Sequence, residues 1–140
     1  DYEVAKTVHP RVHEADMTFL PFPDGSFDLL FARHVLEHSP FPLITLMEWR
    51  RVCRGWMALV LPAPDYWTVR GRNHYSVLPL ANWEWLLRRA GWNPIHRFTL
   101  TTDMPIFRDA WTVPEDGSGP PGGLDVEYHF LCERCPEMEE

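Results

Sequence analysis

Apolar and polar positions along this chain fall into two kinds of block: short continuous apolar runs, and longer stretches in which apolar residues recur every three or four positions. The first kind suits strands and the second suits helices. Residues 1–8 read as the end of a helix stopped ahead of Pro10, because the residue before a proline is pushed out of the helical region. Val12 to Ala15 reads as a short strand, and residues 19–26 as a loop carrying Pro21, Pro23 and the turn dipeptide Asp24-Gly25. The run Phe27, Leu29, Leu30, Phe31 and Ala32 predicts a strand over 28–32 buried on both faces.

A helix is predicted at about 40–53, where Pro40 and Pro42 suit its start, Leu43, Leu46 and Met47 form a stripe, and Arg50-Arg51 complement the helix dipole. Gly55 breaks it, and 56–61 follows as a strand ended by Pro62-Ala63-Pro64. Residues 65–77 form an aromatic and basic loop. Leu80, Trp83, Leu86, Leu87 and Ala90 then mark a helix over 80–90 with Gly91 as its stop. Ile95 and Phe98 indicate another strand, and Val126, Tyr128 and Phe130 the last one. Between them the composition turns to proline and glycine, so 114–124 is expected to be a mobile loop. Strands alternating with helices in a chain without internal repeats predict one α/β domain over 1–140.

Composition narrows the partners. The 140 residues are 45% hydrophobic and 24% charged, an ordinary globular balance. A formal charge of −7 argues against a nucleic-acid groove or an anionic membrane as the partner. Three cysteines suit a reducing compartment. With no signal peptide and no membrane-spanning run, a cytoplasmic location is expected.

In open α/β sheets ligands bind beyond the carboxyl ends of the strands. Those ends carry Asp16-Met17 and Ala32-Arg33-His34. His34-Val35-Leu36-Glu37-His38 also fits the inverted zinc-peptidase pattern, in which two histidines one helical turn apart bind zinc beside a glutamate base. Here it follows a strand directly and abuts Pro40, and no metal site is expected. Cys132-Glu133-Arg134-Cys135 supplies half of a structural zinc site and closes a strand where a redox pair would open a helix. Cys53 reads as core packing, and Trp83, Trp85 and Trp92 as residues where a helix meets the sheet.

Asp16-Met17-Thr18-Phe19-Leu20-Pro21-Phe22-Pro23-Asp24-Gly25-Ser26-Phe27-Asp28, followed by Ala32-Arg33-His34-Val35-Leu36-Glu37-His38, resembles the middle of class I S-adenosylmethionine-dependent methyltransferases of the methyltransferase-11 type. The likeness continues through Trp56 to Pro62, His74 to Trp92 and Glu127 to Cys132. It implies a Rossmann-like sheet whose last strand is antiparallel, S-adenosylmethionine as cofactor and S-adenosylhomocysteine as product. It further implies that Asp16 binds the adenine amino group, that Met17 lies against the ring, and that Ala32, Arg33 and His34 line the cofactor pocket. His74 and Tyr75 fall where the family contacts a small-molecule acceptor, although the same loop suits a partner surface equally well.

The departures matter as much. The first glycine is Gly25, so no GxGxG loop occurs, and Asp1 falls too close to Ala5-Lys6, which match the end of the family's second helix, to serve as the ribose acid. A truncated chain is expected, the later two-thirds of such a domain, its sheet lacking the first two strands. Val12 to Ala15 would then want a neighbour: a missing amino-terminal segment or, the preferred pair of expectations, direct pairing with 28–32 or association of two copies through the exposed edge. Two functions stay open: methyl transfer to an oxygen, nitrogen or carbon nucleophile, or a non-catalytic methyltransferase-like interaction module. A zinc peptidase is the remote third.

Overall fold

The computed structural model describes residues 2–64, 72–102 and 125–136. The expectations for 65–71, for the loop at 114–124 and for the tail past Pro136 lie outside the described residues. The elements are α1 (Tyr2–Val8), β1 (Phe27–Arg33), a 3-10 turn (Leu36–His38), α2 (Pro42–Val52), β2 (Cys53–Pro62), α3 (Leu80–Arg89), β3 (Trp92–Thr102) and β4 (Asp125–Arg134). They form a four-stranded sheet in the order β1-β2-β4-β3. β1 and β2 are parallel, as a strand–helix–strand crossover requires, and the other two pairs are antiparallel.

Each helix is set by local chemistry. Pro42 occupies the first turn of α2, where its missing N–H leaves nothing unpaired, and Arg50 and Arg51 sit at the carbonyl end. Beyond α3, Gly91 takes a φ of +81°, a left-handed turn that L side chains resist. Arg50 then donates to the carbonyls of Gly91, at 3.2 Å, and Cys135, at 3.0 Å, tying α2 to the start of β3 and the end of β4.

The core lies on one face of the sheet. Leu46 and Trp49 of α2 and Trp83 and Leu87 of α3 pack against Ala32, Met57, Leu59, Leu61, Phe130, Cys132 and Trp92. On the opposite face the cross-strand register aligns Phe31, Ala58 and Leu131, and sets Leu29 beside Trp56. Along β1 that face is open among the described residues, with Leu29 at 59% and Phe31 at 67% exposure, whereas Val60 and Glu127 on it are buried. The expectation that β1 is buried on both faces is therefore corrected. Only Leu30 and Ala32 turn inward, because α2 and α3 share one side and α1 buries none of its residues.

Val12 to Ala15 is likewise not a strand, nor does it pair with β1. Among the described residues no neighbouring ladder satisfies its backbone groups, and only an isolated bridge between Asp16 and Phe19 forms. Trp85 is also corrected: Trp83 and Trp92 are buried, whereas Trp85 is 56% exposed and lies beside Arg89 on the outer side of α3.

Candidate functional site

Residues 16–24 are held in place by side chains. Asp16 makes an Asx turn, its Oδ1 accepting the Thr18 N–H at 2.8 Å while its carbonyl accepts the Phe19 N–H at 3.1 Å. The Trp49 indole donates to the Met17 carbonyl at 3.0 Å, and the hydroxyls of Thr18, Thr45 and Ser39 form a buried chain with spacings of 3.1 and 2.7 Å. Further along, Glu48 accepts the Leu20 N–H at 2.8 Å, and Arg51 reaches Glu48, Asp24 and the carbonyls of Leu20 and Phe22. The Arg51 guanidinium holds the Glu48 carboxyl below the usual carboxylate range, against the opposing effect of burial. This bracing takes the place of strand pairing.

A cleft of about 480 Å3 opens between Ala15–Phe19 and the segment from His38 to Phe41, with Ile44 of α2 completing its lining. The Asp16 carboxylate is exposed at this cleft, Met17 is half-buried, and Phe41 and Ile44 give it apolar wall. His38 lines the cleft too.

A second cluster begins at the end of β1. His34 has a φ of +51°, a left-handed residue that turns the chain while its N–H still pairs with the Val60 carbonyl at 3.0 Å. His34 Nε2 then lies 2.6 Å from Oε1 of the buried Glu127 on β4, which Arg33 also meets at 2.8 Å, while His129 reaches Oε2 at 3.1 Å. Burial alone would raise the Glu127 carboxyl, but the bonds from His34, Arg33 and His129 outweigh it and hold the group below its usual range. On its other side His34 Nδ1 stands 3.4 Å from Glu37 Oε1. Glu37 first, and Glu127 after it, raise the imidazole above its ordinary range despite burial.

Glu37 is 1% exposed, and neither of its carboxyl oxygens has a hydrogen-bond partner among the described residues. Its backbone carbonyl accepts the N–H groups of Tyr75 and Ser76 at 2.8 and 3.0 Å, stitching the 72–76 segment onto the 3-10 turn. His38 and His74 then meet edge to face with ring centroids 4.8 Å apart.

Residues 2–58 match the family pattern of a methyltransferase domain. Among solved structures, the YcgJ protein of Bacillus subtilis aligns with a TM-score of 0.72 at 18% identity, over 96% of this chain and 78% of that one. A SAM-dependent methyltransferase of Methanosarcina mazei aligns at 0.69 and 12% identity, over 97% of this chain and 78% of that one. This is a class I methyltransferase fold. The 1,6-didemethyltoxoflavin-N1-methyltransferase of Burkholderia thailandensis, solved with 1,6-didemethyltoxoflavin and S-adenosylhomocysteine, shares it at a TM-score of 0.61 and 16% identity, over 96% of this chain and 56% of that one. No curated protein matches in sequence.

Within this methyltransferase fold the residues singled out from the sequence part into groups. Asp16 and Met17 share the cleft. Ala32 points into the core, and Arg33 and His34 engage Glu127. His74 joins Glu37 and His38, while the Tyr75 side chain is 63% exposed. The peptidase pattern does not have its helix, for the 3-10 turn starts only at Leu36 and His34 is left-handed, so His34 and His38 do not stand one α-turn apart. Cys132 is buried within β4, its thiol pushed up to about 12 chiefly by burial, and Cys53 is a core residue as expected. No described helix is long and apolar enough to cross a membrane.

Sequence reasoning missed Glu127 and the buried state of Glu37. The signal for Glu127 was present in the period-two pattern of β4, which sets Glu127 and His129 on one face.

Proposed function

We propose that this chain binds S-adenosylmethionine and takes part in methyl transfer to an oxygen, nitrogen or carbon nucleophile of a small molecule. The observation that supports the reading is the cleft, which brings an exposed carboxylate at Asp16 and the Met17 segment opposite the apolar wall of Phe41 and Ile44. An acceptor for an exocyclic amine beside a flat apolar surface fits a purine, and about 480 Å3 lies within the ordinary range for small-ligand sites. Asp16 would hold the adenine amino group, and Met17 would lie against the ring. Arg33 and His34, held by Glu127 outside the lining of this cleft, would meet the part of the cofactor that extends beyond it, while Ala32 packs in the core beneath them. When bound, the cofactor supplies an electrophilic methyl group on a sulfonium. The protein's share is orientation and exclusion of water, which needs no covalent nucleophile. His74 and Tyr75 are the proposed contacts for the acceptor.

Calorimetric titration with S-adenosylhomocysteine is expected to show saturable binding. Asp16→Ala should weaken it by roughly 10- to 100-fold, the worth of one hydrogen bond to a charged group. Absence of heat at high ligand concentration would reject cofactor binding and favour the interaction-module reading, which draws its support from the engagement of Arg33 and His34 with Glu127 inside the fold. We also propose self-association along the outer edge of β1, which has no strand partner among the described residues and is flanked by exposed Leu29 and Phe31. Sedimentation over a concentration series is expected to show a dimer, and a monomer throughout would overturn this.

A further inference from the structure

We propose that Glu37, His38 and His74 form a binding site for a divalent first-row transition metal of the zinc class, a site that shares His38 with the lining of the cleft. The ligand atoms of the three residues lie within 4.8 Å of one another, and His38 Nε2 is 4.0 Å from Glu37 Oε1. Metal–ligand bonds of about 2.0–2.2 Å set two ligands of one ion roughly 3–4 Å apart, so small side-chain rotations close the set. Metal binding here does not depend on methyl transfer, and either reading can fail without the other.

Three features point to a cation. Glu37 is buried to 1% exposure and neither oxygen makes a hydrogen bond among the described residues; its nearest charge partner, His34 Nδ1, stands 3.4 Å from Oε1, and a bound ion relieves the remaining cost of burying the carboxylate. His38 Nδ1 lies 3.0 Å from the Asn73 carbonyl, which can only accept, so Nδ1 carries the proton and the Nε2 lone pair is left for a metal. The support is also built in advance. Asn73 takes a φ of +63°, Tyr75 and Ser76 donate to the Glu37 carbonyl, and the Ser76 hydroxyl donates to the Ser39 carbonyl at 2.7 Å. These contacts hold His74 beside His38 without using Glu37's side chain.

The donor set chooses the metal. Two imidazole nitrogens and one carboxylate favour zinc, cobalt or their neighbours over magnesium and calcium, which prefer oxygen throughout. Three protein ligands also leave a coordination position for water or for an oxygen donor. A small molecule bearing a hydroxyl or carboxylate is the class that such a position takes.

The test is titration of the full chain, freed of metal with a chelator, with zinc by calorimetry and with cobalt by visible absorption. One ion per chain is expected, with cobalt bands of low coordination number. Glu37→Gln and His74→Ala should each weaken zinc binding by roughly tenfold or more, while His96→Ala, an exposed histidine on β3, should leave it unchanged. Far-ultraviolet circular dichroism checks the fold of each variant, and His74→Ala decides the matter if Glu37→Gln does not fold. Failure of the wild-type chain to bind zinc saturably, or equal binding by His74→Ala, would overturn the site.

Discussion

Trp92→Ala is expected to destabilise the domain by about 3–5 kcal/mol, a large part of the stability of a chain this size. Trp92 is fully buried, and its indole N–H donates to the Leu46 carbonyl in α2 at 3.0 Å. It therefore fills the space where the start of β3 meets α2 and also pairs a polar atom there. Alanine removes both, leaving a cavity in the core beside Leu46 that this rigid corner cannot readily collapse, since Arg50 already fixes Gly91 and Cys135. Trp92→Phe keeps most of the packing and should cost about 1–2 kcal/mol through the lost hydrogen bond. Trp85→Ala, on the exposed side of α3, should cost less than about 1 kcal/mol. Urea midpoints compared at constant slope measure all three, and similar losses for Trp85 and Trp92 would contradict the packing described.

How much of this was legible follows from where each partner lies. α2 and α3 could be read from local apolar spacing, because the stripe that makes the helix is also the stripe that buries it. β1 could be located by its apolar run but not by its faces: composition does not reveal that both packed helices share one side. Val12 to Ala15 failed for a related reason, since a strand is stable only beside another and the sequence does not name the neighbour. The Asp16 loop was recognisable through its wording, yet what holds it, Arg51, Glu48 and Trp49, reaches it from another element. Glu127 was the least legible. It meets Arg33 and His34 across 94 and 93 residues of chain, a closeness only the β2–β4 pairing creates.

The same long-range dependence makes Gly55 decisive. Gly55→Ala is expected to destabilise the fold by roughly 3 kcal/mol and to impair ligand binding as well. A Cβ at Gly55 would lie 2.2 Å from the Asp28 carbonyl oxygen and 3.2 Å from its carbon. Both are backbone atoms, so no side-chain rotation relieves the clash, and the two strands must part. The register shows why they approach there. Phe27 is opposite Cys53 but Leu29 is opposite Trp56, so an irregularity packs Gly55 against Asp28. Among the described residues β1 joins the sheet only through β2, and its far end delivers Arg33 and His34 to Glu127 and the His34 N–H to Val60. Displacing the strand should therefore weaken the proposed S-adenosylhomocysteine binding in addition to lowering the urea midpoint, and hydrogen exchange should quicken along β1 before it does along β4. Arg54→Ala separates this from the loss of the exposed Arg54–Asp28 ion pair, 2.6 Å apart, which should barely move the midpoint. If Gly55→Ala and Arg54→Ala behave alike, the close backbone approach is not what fixes β1, and the position of His34 must be set from the Glu127 side alone.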